Sequence, residues 1–294
     1  MEIKKASSGR SGAGFLKKLA IASVLTVTGL IIFVLTLFHL IPSHLYESWL
    51  YGSIRERSGL VVESASFSTA FPLAFRAEGL KVFDQAGKEL LRVDSLKAGL
   101  NPLGLFSGLM IDIDGEASGG QVRGAAVAGL FGASLEMEAV GVGFDALSVL
   151  SSAGVKLDGA FDAVLAVKME DGCPRGSLKA QGVEFDDAVL SFRGFPLPIG
   201  SVDEAGLSAE FFNCGVRLDG LWLESSDLSA RIKGGMKLAS PVSASSVDMM
   251  IELVPYEGLM KKEYILSLLS QYRKSANYYS IPVQGTLGSL TAAF

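Results

Sequence analysis

Residues 161–169 read Phe-Asp-Ala-Val-Leu-Ala-Val-Lys-Met. Phe161, Ala163, Leu165, Val167 and Met169 alternate with Asp162, Val164, Ala166 and Lys168. A side-chain period of two over this length makes a strand with one buried face. The same alternation recurs at Leu207, Ala209 and Phe211, and again at Leu228, Ala230 and Ile232. Turn residues separate the runs: Asp84-Gln85-Ala86-Gly87, Glu116 to Gly120, Asp171-Gly172, Asn213-Cys214-Gly215 and Gly234-Gly235. Short strands joined by such turns give an antiparallel meander with one apolar and one polar face. Several runs open on glycine and then resume alternation, as at Gly119, Gly176, Gly215, Gly235 and Gly285, which predicts a repeating strand–turn–strand unit.

Upstream lies a stretch of another kind. Leu19 to Ile41 reads LAIASVLTVTGLIIFVLTLFHLI, and only His39 in it can carry a charge. At about 1.5 Å per residue it spans about 34 Å as a helix, enough for a hydrocarbon core of about 30 Å. Backbone in lipid must satisfy its own hydrogen bonds, so the expectation is a transmembrane helix. It is longer than a signal-peptide core, and the Pro42-Ser43-His44-Leu45 that follows is a poor cleavage site.

Lys4, Lys5, Arg10, Lys17 and Lys18 precede this stretch against the single Glu2, whereas the whole chain carries −5. The positive-inside rule then puts the N-terminus in the cytoplasm and the acidic remainder across the membrane, in the periplasm of an inner-membrane protein. An acidic exported domain lacks the basic footprint of a nucleic-acid binder. The expected organisation is a cytoplasmic tail at 1–18, a transmembrane anchor at 19–41, a membrane-proximal stem at 42–58 and a periplasmic β domain at 59–294. Trp49, Tyr46 and Tyr51 suit the stem to the membrane interface.

Helical signals in the β domain are few. Asn101-Pro102 opens one short candidate, Asp145 to Leu150 a second, and Glu257 to Tyr272 the longest. Ile265, Leu268, Leu269 and Tyr272 form an apolar stripe on the last. It is expected to pack on the apolar face of the sheet. One helix cannot cover about a dozen strands, so the rest of that face needs a second layer or stays open as a groove.

Chemistry-bearing constellations are missing. Both histidines, His39 and His44, lie in or next to the apolar stretch, outside any triad of the β domain. No Cys-x-x-Cys and no zinc-spaced histidine pair occurs. Asp112-Ile113-Asp114-Gly115 lacks the later ligands of a calcium loop. Gly12-Ala13-Gly14 follows no strand and is no dinucleotide fingerprint. The reading is a non-enzymatic protein with no catalytic, cofactor-binding or metal residues. Two cysteines, Cys173 and Cys214, both fall in or beside turns of the exported part. In an oxidising compartment they can form a disulfide, and two unpaired thiols are the alternative.

A family likeness attaches to particular stretches: Asn101-Pro102-Leu103, Leu105 to Gly108 (LFSG), Gly115 to Gly120 (GEASGG), Phe195 to Gly200 (FPLPIG) and Gly285 to Leu287 (GTL). In order and texture these resemble the type II secretion system protein N family (GspN). The same texture resembles the AsmA-like envelope proteins, with one N-terminal inner-membrane helix and a curved antiparallel β-sheet. The first resemblance implies an inner-membrane secretion subunit whose periplasmic domain is a scaffold for other secretion components. That is the first reading; the second resemblance implies the alternative, a protein that binds or transfers lipid along an apolar face. A closed core favours the scaffold and an apolar trough open to solvent favours lipid.

Overall fold

The computed structural model describes residues 25–26, 28–29, 32–101, 108–129, 132–148, 151, 155–192, 195–197, 199, 201–239, 244–261, 266–267, 269–286 and 289–292. The fold is mostly β, one large antiparallel sheet with few helices.

Residues 32–40 are helical, with Ile32, Phe33, Leu37 and Leu40 exposed. Among the described residues no helix is long and apolar enough to cross a membrane, and much of the Leu19–Ile41 stretch lies outside them. Helix α1 follows at Ser43–Ser58. It ends where Gly59 turns left-handed (φ 74°) and its N–H caps the Arg55 carbonyl, the usual C-terminal stop.

Strands β1 (Val61–Glu63) and β2 (Ser66–Ala70) both pair with β3 (Ala74–Phe83) and form one edge. The sheet then runs through β4 (Glu89–Leu100), β5 (Leu109–Ala117), β6 (Gly120–Gly129), β7 (Gly132–Gly143), β8 (Val155–Glu170) and β9 (Cys173–Phe192). Short β10 (Phe195–Leu197) folds back on β9. Strand β11 (Val202–Phe212) pairs with β9 and continues the order into β12 (Gly215–Ser225), β13 (Leu228–Lys237) and β14 (Ser246–Pro255). Strand β16 (Tyr278–Thr286) pairs with β14, and β15 (Arg273–Ser275) and β17 (Ser289–Ala292) share its outer side.

The tight turns follow from residues that tolerate positive φ. Ser118-Gly119, Asp171-Gly172 and Asn213-Cys214 each form a two-residue loop with both φ angles positive, the geometry that matches strand twist. Asp84 builds the β3–β4 turn by accepting from the Ala86 and Lys88 N–H groups at 2.9 and 2.8 Å. Gly234-Gly235, expected as a turn, instead lies inside β13. A Cβ at Gly234 would collide with the backbone of Asp248 and Met249, so the glycine serves close strand approach.

The helix expected over Glu257 to Tyr272 is described at its ends and at 266–267, which are helical. Helix α2 covers Glu257–Met260, and a 3-10 turn covers Ser270–Tyr272. Leu268 and residues 262–265 lie outside the described residues, as do 102–107, where the Asn101-Pro102 helix was expected. The helix expected at Asp145 to Leu150 is in part a 3-10 turn at Phe144–Ala146, with 149–150 outside the description.

Candidate functional site: the apolar face of the sheet

Directly paired residues on neighbouring strands point to the same side of a sheet. The register can therefore be followed across the molecule. One cross-strand row runs Phe75–Ala98–Ile113–Gly124–Met137–Leu165 on β3 to β8. It continues Leu178–Ala209–Leu218–Gly234–Met249–Val283 on β9 and β11 to β16. A second row lies beside it, from Ala77–Leu96–Gly115–Val122 to Leu221–Ile232–Ile251–Ile281. On the other flank a third row passes from Leu100 and Ile111 through Leu135, Val167 and Phe211 to Val247. No charged or hydrogen-bonding side chain interrupts any of the three. At about 4.8 Å between strands, twelve strands make a face about 50 Å long.

Helix α1 rests on the β2–β3 end of this face, and two further described elements stand over one side of it. The 3-10 turn at Phe144–Ala146 covers Leu80, Val93, Ala117 and Val142, with Ala146 fully buried. Phe144 stacks against Phe185 and packs on Phe161, ring centres 5.9 and 5.3 Å apart. Ser148 donates to Glu89 at 2.8 Å and ties this segment to β4; that bond is the main cause holding the Glu89 carboxyl below its ordinary pKa. Farther along, Ile199 and Leu259 of α2 cover Leu228, Leu223 and Leu253. Helix α2 thus packs on the sheet through Leu259. Between and beyond these covers no other element among the described residues stands over the face. In the first row only Ala209 is buried, and the others are half-buried.

The opposite face carries charge. Arg76, Lys97, Asp114, Arg123 and Glu138 are successive cross-strand partners on β3 to β7. The first four line, with Glu116 and Gln121, a cleft of about 230 Å³. Arg123 pairs with Asp114 at 3.8 Å and Arg76 with Glu78 at 3.3 Å, both well exposed and so contributing little to stability. Asp112-Ile113-Asp114-Gly115 lies inside β5, with Asp112 and Asp114 on this face and Ile113 on the other. Among the described residues no group of three or more His, Cys, Asp or Glu side chains could hold a metal.

Cys173 and Cys214 are joined in a disulfide, their Cα atoms 4.6 Å apart. Cys173 follows the β8–β9 turn, Cys214 sits in the β11–β12 turn, and β9 pairs with β11. The bridge closes the one seam where the sheet passes from β9 to β11, and all three apolar rows cross that seam.

No protein-family model matches the chain, and neither the curated proteins nor the solved structures contain a match to it.

Proposed function

We propose that this is a non-enzymatic envelope protein, tethered to the inner membrane through Leu19–Ile41, whose periplasmic sheet binds lipid acyl chains on its apolar face. The observation that carries the reading is the set of three unbroken apolar rows, over most of which no described element stands. An acyl chain makes no hydrogen bonds and needs none from its site. Each buried CH₂ contributes about 0.8 kcal/mol, so a long chain gains from a long face without any special pocket. A contiguous apolar surface of this extent is rare on a protein that meets only water. The tether places the face within reach of a bilayer, and the AsmA-like texture of the sequence agrees with the assignment.

The test is photo-crosslinking of a diazirine-bearing fatty acid to the full-length protein, followed by peptide mapping. Adducts on residues such as Met137, Leu165, Leu218 and Met249 are expected. Adducts confined to 32–58, or none, would count against the reading.

The likeness to the secretion protein N family supports a second reading, in which the same domain is a scaffold for type II secretion components. A secretion component retained through purification in place of lipid would favour it.

A further inference from the structure

The apolar rows begin at an aromatic junction with the helical segments that lead out of the anchor. Phe75 is the first residue of the first row, and Phe67 of β2 pairs with Ala77, the first residue of the second. Phe38, from the apolar stretch, lies 5.3 Å from Phe75 between ring centres. Tyr46 of α1 lies 5.2 Å from Phe75 and 5.1 Å from Phe38. Tyr51, one turn on from Glu47, meets Phe67 edge-on at 5.9 Å. Helix α1 therefore rests on the apolar face where the rows start. Ser64 fastens it to the sheet edge by donating to the Glu47 carboxylate at 3.1 Å.

We propose that this junction is the port through which an acyl chain passes between bilayer and sheet, with α1 as its gate and Ser64–Glu47 as the latch. The inference rests on the acyl-binding reading. It is carried by the geometry of the rings, which continue the apolar surface of residues 32–40 into the rows without a charged side chain between Phe38 and Phe75. A hydrocarbon tail crossing here would exchange one apolar neighbour for another and never meet water. Tyr46 turns its hydroxyl away from the rings, donating to the Phe38 carbonyl at 3.3 Å, so it offers the passage its apolar body. The contacts that close the gate among the described residues are separable ring pairs and the partly buried Ser64–Glu47 hydrogen bond.

The experiment uses the full-length protein in vesicles that contain a phospholipid with a fluorescent acyl chain. The comparison is loading from solution, with the same label on a soluble fatty acid. Ser64→Ala removes the latch, and Tyr46→Ala removes the ring that bridges Phe38 and Phe75. Each is expected to speed loading from vesicles by about threefold to tenfold, the scale of one hydrogen bond or ring contact. Loading from solution and total capacity should stay as in the native protein. A variant that merely loosened the fold would alter both routes together, and that result overturns the proposal. Unchanged vesicle loading by both variants, with native binding intact, places the port elsewhere and leaves the acyl-binding reading standing. Absence of binding by either route in the native protein removes that reading and the port with it.

Discussion

Leu178 and Lys179 are neighbours on β9 but belong to surfaces built on opposite rules. Leu178 sits in the first apolar row, between Leu165 and Ala209. Lys179 sits on the charged face, between Val164 and Ser208. The apolar rows cross the seam between β9 and β11 and continue to β16. The charged succession does not: Val164 interrupts it before Lys179, and beyond Lys179 it reaches Ser208 and Gly220. One face is continuous over the whole sheet, and the other is a set of local ion pairs. Continuity over such a distance is what a long apolar ligand requires, and local pairs are what solubility requires.

The strongest way to break the contrast is at the seam. Reducing the Cys173–Cys214 bridge, or replacing both cysteines by serine, removes a cross-link across 41 residues of sequence. The chain-entropy model gives a loss of about 4 kcal/mol. Denaturant titration with and without reductant measures it, and acyl binding should fall with it because the rows lose their alignment. Next in size, Leu178→Asp puts a charge in the middle of the first row. It should cost about 2–3 kcal/mol and abolish acyl binding, read by thermal melting and by fatty-acid titration.

On the charged face the effects are smaller. Lys233 pairs with Glu252 at 3.0 Å, and Tyr278 donates to the same carboxylate at 3.1 Å. The Lys233 hydrogen bond, and then that of Tyr278, outweigh burial and hold the Glu252 carboxyl below its ordinary value. A depressed carboxyl pKa stabilises the fold above the unfolded value, about pH 4.5, and that contribution is lost as pH falls through the folded value. Glu252→Gln should remove about 0.5–1 kcal/mol at neutral pH and flatten the acid limb of a melting-temperature profile. The smallest effect is expected of Lys179→Glu, within about 0.5 kcal/mol, with acyl binding unchanged.

How much of this was legible before the structure differs by feature. The strand at 161–169, the meander and the dozen-strand scale follow from period-two alternation, which is local. Phe161, Leu165, Leu207, Phe211, Leu218 and Ile232 do share one face. Gly234-Gly235 misled because glycine marks both turns and close strand approach, and only the register separates them. One sheet with only local covers among the described residues was one of two outcomes the alternation allowed, since the same pattern serves a sandwich. The cysteine pairing depended on the β9–β11 contact, a long-range register that spacing does not encode. The Phe38–Tyr46–Phe75 junction could not be found at all from sequence, because it forms between segments with no shared periodicity.

The central claim is that the open face carries acyl chains. Its most direct test is purification of the full-length protein in mild detergent, with mass-spectrometric identification of everything that remains bound, beside Leu178→Asp treated alike. Lipid is expected at one or more molecules per native chain and is expected to be lost from the variant. Equal, trace amounts of lipid on both proteins, with a partner protein bound instead, would contradict it.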